Sequence, residues 1–95
     1  MYGLIVKLTI LQGRCDEMIK ILKESAFNMP GCLSYVVARD ATDENVLWVT
    51  EVWDSAASHD SSLNLPSVRN AIPQARAIVS AFDKVAITFP VLGIS

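Results

Sequence analysis

The 95-residue chain has a single histidine, two cysteines and four scattered glycines, and each scarcity excludes a class of site. One histidine cannot build a metal site that needs several. Two cysteines are too few for a disulfide scaffold. The glycines, at positions 3, 13, 31 and 93, form no phosphate-binding or dinucleotide-binding loop. The sequence therefore predicts a protein with neither a metal nor a nucleotide cofactor.

Charge is also sparse, since eight basic and ten acidic residues give a net charge of −2. The basic residues form no cluster that would attract nucleic acid. No apolar run approaches the roughly 18 residues of a membrane-spanning helix. The first apolar stretch lacks the basic start of a signal peptide and is interrupted by Lys7. We therefore expect a cytoplasmic protein that binds neither nucleic acid nor membrane.

The two cysteines are expected to be reduced, and the simplest interpretation is that they serve as small apolar side chains. A reactive thiol is the alternative for either. Cys15 is the better candidate because it lies near the predicted start of a helix, where a thiolate is favoured.

Apolar residues make up 52% of the chain, enough for a single domain over residues 1–95. Alternating and helical periods predict strands over 2–11, 32–40, 45–53 and 84–89, and helices over 14–27, 55–64, 66–72 and 73–82. Pro73 separates the last two helices, and residues 41–44 form a hairpin turn. The order β-α-β-β-α(α)-β is that of the ferredoxin-like α+β fold, a four-stranded antiparallel sheet with helices on one face.

The predicted strands are apolar on both faces, although the helices can cover only one. In the third strand one face carries Val46, Trp48 and Val52, and the other carries Leu47, Val49 and Trp53. An antiparallel sheet with one solvated face should alternate apolar and polar residues. We therefore predict a homodimer that packs the uncovered sheet faces together, with the tail at residues 90–95 extending towards the partner.

Three segments in a fixed order carry a resemblance to a known family. Residues 30–35 read Pro-Gly-Cys-Leu-Ser-Tyr, residues 51–55 read Glu-Val-Trp-Asp-Ser, and residues 59–68 begin His-Asp-Ser-Ser-Leu. With these segments the chain resembles the antibiotic biosynthesis monooxygenase domains over essentially its whole length. The resemblance implies a dimeric α+β barrel. It also implies an oxygenase without a cofactor, acting with O₂ on an aromatic quinol, phenol or anthrone-like substrate held between sheet and helices.

Differences within that resemblance narrow the function. Haem-degrading relatives carry an Asn in the first strand, a Trp on the helix after the third strand and a later His. Here residues 2–11 contain no Asn, Ser62 and Leu63 occupy the helix positions, and no histidine follows His59. Haem degradation is therefore not expected. The tail at residues 91–95 resembles that of the quinol-monooxygenase-like subgroup, with one glycine only.

His59 is the candidate catalytic base. On a helix that starts after Ser55 it shares a face with Ala56 and Leu63, which directs it inward. In model peptides an imidazole titrates at about pH 6.5, which suits proton abstraction at neutral pH. The alternative is a core histidine with a satisfied hydrogen bond, and the resemblance favours the functional role.

Trp53 and Glu51 are candidates for substrate binding on one face of the third strand. Trp53 can stack on a planar ligand, whereas Glu51 is costly to bury unless it is paired. If Asp40 pairs with Asn45, this face is shared by the small side chains that would leave room for a ligand, namely Cys32, Ser34, Val36 and Ala38. Core packing of Trp53 and a structural ion pair of Glu51 are the alternatives.

Three more residues complete the candidate binding set. Tyr35 offers a phenol that can orient a substrate, Ser62 lies one helical turn after His59, and Arg76 can reach a phenolate. The alternatives are a packed tyrosine and a solvated arginine, and Ser62 with His59 does not form a hydrolase triad. The sequence thus predicts a small monooxygenase with His59 as base. Two other hypotheses stay open, an isomerase of a small carbonyl signalling compound and a non-catalytic dimer that binds a small molecule.

Overall fold

A computed structural model describes residues 1–93 of the chain and shows four strands and three helices in the predicted order. Their bounds are β1 Tyr2–Ile10, α1 Cys15–Ser25, β2 Cys32–Arg39, β3 Val46–Trp53, α2 Ala56–Ser62, α3 Pro66–Arg76 and β4 Val79–Thr88. The predicted contact between the tail at residues 90–95 and a partner includes residues 94–95, which lie outside the described residues.

The four strands form one antiparallel sheet in the order β2-β3-β1-β4. The alternate residues Leu4, Val6, Leu8 and Ile10 of β1 are all buried and pack against Met18 and Ile21 of α1. Ala71 and Ala75 of α3 contact the same core. The predicted ferredoxin-like α+β fold is confirmed. Within residues 1–93, no helix is long and apolar enough to cross a membrane.

Helix α1 follows directly from its sequence. Asp16 and Glu17 lie in its first turn and Lys23 in its last, where each charge complements the helix dipole. The chain leaves the helix through Asn28, whose φ of 51° is left-handed. Pro30 and Gly31 then prevent the helix from continuing. The buried face of α1 is thereby fixed over the central strands.

The prediction for residues 73–89 is wrong in its boundaries. Pro73 does not divide the helix, because α3 runs unbroken to Arg76. The predicted helix over 73–82 ends there, and the last strand begins at Val79 rather than at Lys84. The cause is long-range pairing: β4 pairs with β1 from Ile10↔Val79 to Gly3↔Thr88, and this ladder outweighs the local helical period.

The hairpin between β2 and β3 is longer than the predicted turn at residues 41–44 and spans residues 40–45. Asp40 organises it, because its carboxylate accepts hydrogen bonds from the backbone N–H of Thr42 and of Asp43. The indole N–H of Trp48 donates to the same carboxylate at 2.7 Å. These bonds hold the pKa of Asp40 well below its usual range, with the Trp48 bond the largest cause.

Two strand pairings contain a bulge, and each decides which side chains face the helices. In β2 the pairing moves from Cys32↔Trp53 to Ser34↔Val52, so Leu33 is the additional residue. Tyr35 and Val37 therefore lie across Glu51 and Val49 on the helix side. The predicted register, which placed Ser34, Val36 and Ala38 on that side, is wrong because a bulge shifts every following residue by one position.

Gly31 fixes the start of β2 against helix α2. Its φ is +84°, and a Cβ at this position would lie 2.6 Å from the Cβ of Ser58 and 2.7 Å from Oδ1 of Asp54. Its carbonyl accepts the N–H of Asp54 at 2.9 Å. The close approach of this turn therefore sets the distance between β2 and the helix that carries His59.

We expect Gly31→Ala to destabilise the fold more than Gly13→Ala. Both glycines have positive φ, so each substitution costs roughly 1–2 kcal/mol of backbone strain. Only Gly31 also meets neighbouring atoms, since nothing lies within 4 Å of a Cβ at Gly13. Displacing α2 should add about 1–3 kcal/mol. Urea unfolding of the two variants measures the difference, and equal losses would show that the contact with α2 is unimportant.

Candidate active site

A cavity of about 550 Å³ lies between the sheet and the helices. Its wall is mainly apolar, with Leu4, Val6 and Leu8 of β1 facing Met18 and Ile21 of α1. Polar side chains are few by comparison. The structure places all six residues selected from the sequence on this wall, namely Tyr35, Glu51, Trp53, His59, Ser62 and Arg76.

His59 enters the cavity from α2, a short helix capped by the hydroxyl of Ser55, which accepts the N–H of Ser58. Its side chain is 15% exposed. The imidazole meets the Trp53 ring edge-on, with centroids 5.4 Å apart, and the Tyr2 ring at 5.6 Å. Aromatic packing thus fixes the orientation of the ring.

The Nδ1 atom of His59 is buried and has no hydrogen-bond partner within the described residues. A carboxylate oxygen of Asp60 lies 3.5 Å away without making a hydrogen bond. An unpaired buried polar atom costs roughly 1–3 kcal/mol. The geometry therefore does not match the alternative interpretation, in which a core histidine has its hydrogen bonds satisfied. Unpaired groups of this kind are expected where a ligand or a catalytic step supplies the partner.

Glu51 presents a carboxylate to the same cavity. The indole N–H of Trp53 donates to its Oε1 at 3.0 Å. Burial raises the pKa of Glu51, while the Trp53 hydrogen bond and the nearby imidazole of His59 partly oppose that rise. No basic side chain pairs with Glu51 among residues 1–93, so the structural ion pair considered from the sequence is not formed there.

Trp53 is only 1% exposed. One edge donates to Glu51 and the ring packs against His59. These contacts leave little of the indole face for a ligand. They place Trp53 between Glu51 and His59, where it fixes the position of both side chains.

Tyr35 lies directly across Glu51 in the β2–β3 ladder. Burial, followed by the neighbouring Glu51 carboxylate, raises the pKa of the Tyr35 phenol far above its usual value. The phenol is therefore neutral at physiological pH and can donate a hydrogen bond. Tyr35 reaches the cavity only because of the bulge at Leu33, which sequence patterns do not reveal.

Ser62 and Arg76 occupy different parts of the wall. The Ser62 hydroxyl donates to the backbone carbonyl of His59 at 2.6 Å, so it closes the last turn of α2 and does not contact the imidazole. Arg76 lies in the last turn of α3. The sequence analysis does not identify two residues at the site: Tyr2, which packs on His59, and Lys84 of β4, which lines the cavity. Only the strand registers identify them.

The cysteines make no disulfide, and neither has the surroundings of a reactive thiol. Cys15 is buried in the core, and its Sγ donates to the carbonyl of Glu44. Burial raises the pKa of both thiols, and Glu51 raises that of Cys32 further. These features agree with the interpretation of both cysteines as packing residues. Within the described residues, no three His, Cys, Asp or Glu side chains are grouped so as to hold a metal ion.

Comparisons with known proteins agree on one family. The family model described as antibiotic biosynthesis monooxygenase matches residues 1–74. A solved structure from Chloroflexus aurantiacus, described as a proposed antibiotic biosynthesis monooxygenase, is 51% identical, with a TM-score of 0.94 over 99% of this chain and 96% of its own. A structure from Deinococcus radiodurans with the same description is 21% identical, with a TM-score of 0.81 over 100% and 97%. It shares the fold. No curated protein matches the chain.

We expect Glu51→Gln to be more stable than the wild type at pH 8 and equally stable near pH 3. A carboxyl whose pKa is higher in the folded chain lowers stability as the pH rises above its unfolded pKa, by about 1.4 kcal/mol for each unit of difference. Gln keeps the acceptor for Trp53. Urea unfolding across this pH range measures the effect, with the exposed Glu24→Gln as a control for net charge. A Glu51→Gln variant less stable than the wild type at pH 8 would contradict this expectation.

Proposed function

The chain belongs to the antibiotic biosynthesis monooxygenase family, and we propose that it oxidises an aromatic quinol, phenol or anthrone-like substrate with O₂ and without a bound cofactor. One observation carries the proposal: His59 lies on the wall of an apolar cavity, and its buried Nδ1 has no hydrogen-bond partner among residues 1–93. The cavity volume, about 550 Å³, falls within the rough range of 300–1,000 Å³ for small-molecule sites.

The walls of the cavity support an oxygenase reaction. Apolar side chains from β1, α1 and α3 line most of the cavity. A substrate bound against them would exclude water, which strengthens electrostatic interactions inside and protects reactive intermediates. The neutral Tyr35 phenol can donate a hydrogen bond to a substrate oxygen. Trp53 holds Glu51 and His59 in place and is therefore a positioning residue.

For an anthrone-like substrate, the reaction begins when His59 accepts a proton from the carbon that will be oxidised. The carbanion gives one electron to O₂, and the resulting radicals combine through a new carbon–oxygen bond. The peroxide takes the proton back from His59. Loss of the second hydrogen of that carbon as a proton then breaks the O–O bond. A carbonyl forms, and water leaves. The substrate supplies all four electrons, so no other reductant is required.

An isomerase acting on a small carbonyl compound would use the same base and the same cavity. A binding protein would use the cavity without the base. The Nδ1 of His59, without a hydrogen-bond partner among residues 1–93, supports a role of this residue at the site in all three cases. Oxygen consumption separates the oxygenase from both alternatives.

The proposed assembly is a homodimer through the sheet face that the helices leave uncovered. Val36 of β2 lies on that face, across Thr50, and is 52% exposed. Leu33 and Val85, each an additional residue at a bulge, are also exposed. A chain of 95 residues gains stability by burying such a surface against a second copy. A constitutive interface should bury more than roughly 1,200 Å² in total.

Sedimentation velocity at micromolar concentration should show a species of twice the chain mass. Val36→Glu places a charge in the proposed interface and should give a monomer. Phe27→Glu is the matched control, because Phe27 is 59% exposed at the end of α1, on the helix side. A monomeric wild type, or equal effects of the two substitutions, would contradict a dimer through the sheet.

His59→Ala should lower oxygen uptake by roughly 10²–10⁴-fold with a quinol or anthrone that the wild type oxidises, because a general base contributes about that factor. Its fold should be retained, since removing the imidazole also removes an unpaired nitrogen. The control is Ser61→Ala, an exposed position on the same helix. An oxygen electrode gives the rate and thermal unfolding gives the stability. A destabilised His59→Ala protein with normal activity per folded molecule would end the catalytic assignment.

A further inference from the structure

The second bulge of the sheet places a cation on the cavity wall. In the β1–β4 ladder the pairing moves from Ile5↔Ala86 to Val6↔Lys84, so Val85 is the additional residue. In a regular ladder Val85 would lie across Val6 and face the cavity, and Lys84 would face the opposite side of the sheet. The bulge reverses this arrangement and leaves Val85 53% exposed.

An apolar side chain is thus replaced by a charged one at the wall of an apolar cavity. Lys84 shares the face of Val6, which is 3% exposed, and the next residue on that face is Phe82, across Leu8. Lys84 itself remains exposed, so its ammonium group is accessible at the β4 side of the cavity. Val85 can pack against a second copy on the sheet face proposed for the dimer, but that packing does not require a lysine on the cavity wall. The charge at Lys84 is therefore available to a ligand.

Arg76, in the last turn of α3, is a second cation on the same wall. Neither Lys84 nor Arg76 forms an ion pair within residues 1–93. Asp83, next to Lys84 in sequence, lies across Lys7 and faces away from the cavity. The acidic side chain inside the cavity, Glu51, is bonded to Trp53. The wall therefore carries two cations that form no ion pair with Glu51 or with any other acidic side chain of residues 1–93.

We infer that the cavity selects aromatic anions, with Lys84 and Arg76 holding a carboxylate, sulfonate or phenolate group of the ligand. The inference rests on the proposed function in taking this cavity as the substrate site. Arginine and lysine make charge-assisted hydrogen bonds to such groups. Both Lys84 and Arg76 are exposed, so a ligand in the cavity can reach them. The same cations would favour the ionised form of a phenol or anthrone, which is the form that reduces O₂.

A matched pair of fluorescent probes tests the selection. 8-Anilinonaphthalene-1-sulfonate is an aromatic anion, and N-phenyl-1-naphthylamine is the same ring system without the sulfonate. The wild type should bind the anion more tightly, with one site per chain and an affinity that falls as salt is added. Lys84→Gln and Arg76→Gln should each weaken binding of the anion by about 3–10-fold and change binding of the neutral probe by less than about twofold.

Arg69→Gln is the matched control, because Arg69 is on the same helix α3 but does not line the cavity. Equal wild-type affinities for the two probes, or an equal loss in the Arg69 variant, would overturn the inference. Failure of both probes to bind would overturn the inference together with the cavity as a ligand site.

Oxygen consumption is measured separately. If the protein selects the anion but consumes no oxygen, the inference stands and the proposed oxygenase function fails. If it consumes oxygen but does not select the anion, the oxygenase function stands and the inference fails.

Discussion

The cavity depends on the registers of the two edge strands, because a side chain on a strand faces the helices only at every second position. β1 supplies an unbroken apolar row to the cavity wall, and β3 adds Glu51 and Trp53 beside it. β2 shifts register once, at Leu33, and β4 shifts twice, at Val85 and at Ser80. The shifts at Leu33 and Val85 turn Tyr35 and Lys84 towards the cavity. The polar character of the wall is therefore a consequence of backbone geometry as much as of residue type.

The centre of the candidate site combines groups that reduce stability. Glu51 is a buried carboxylate without a basic partner in the described chain, and Nδ1 of His59 is buried without a hydrogen bond. Trp53 connects them through one hydrogen bond and one edge-on ring contact. Gly31 holds the helix that carries His59 close to the sheet. A fold that maintains such an arrangement has the preorganised groups that proton transfer requires.

Much of this arrangement follows from the sequence by elementary rules. The order of elements predicts the sheet topology, the spacing of Ala56, His59 and Leu63 predicts an inward imidazole, and the two-residue period puts Glu51 and Trp53 on one face. The bulges cannot be read from local sequence, because no residue pattern marks Leu33 or Val85 as additional. For the same reason the local sequence does not identify Lys84 as a residue of the cavity wall. The last strand was misplaced because pairing with β1, a contact distant in sequence, outweighs the helical period after Pro73.

The central claim is that the chain, without any cofactor, transfers one atom of O₂ to an aromatic substrate and releases the other as water. Oxidation of an anthrone under ¹⁸O₂ tests this most directly, because product and water can be analysed by mass spectrometry in the same reaction. The account predicts one labelled oxygen in the product and one in water, at a rate unchanged by added flavin, haem or metal chelator. Oxidised product without label, or no turnover until a cofactor is added, would contradict it.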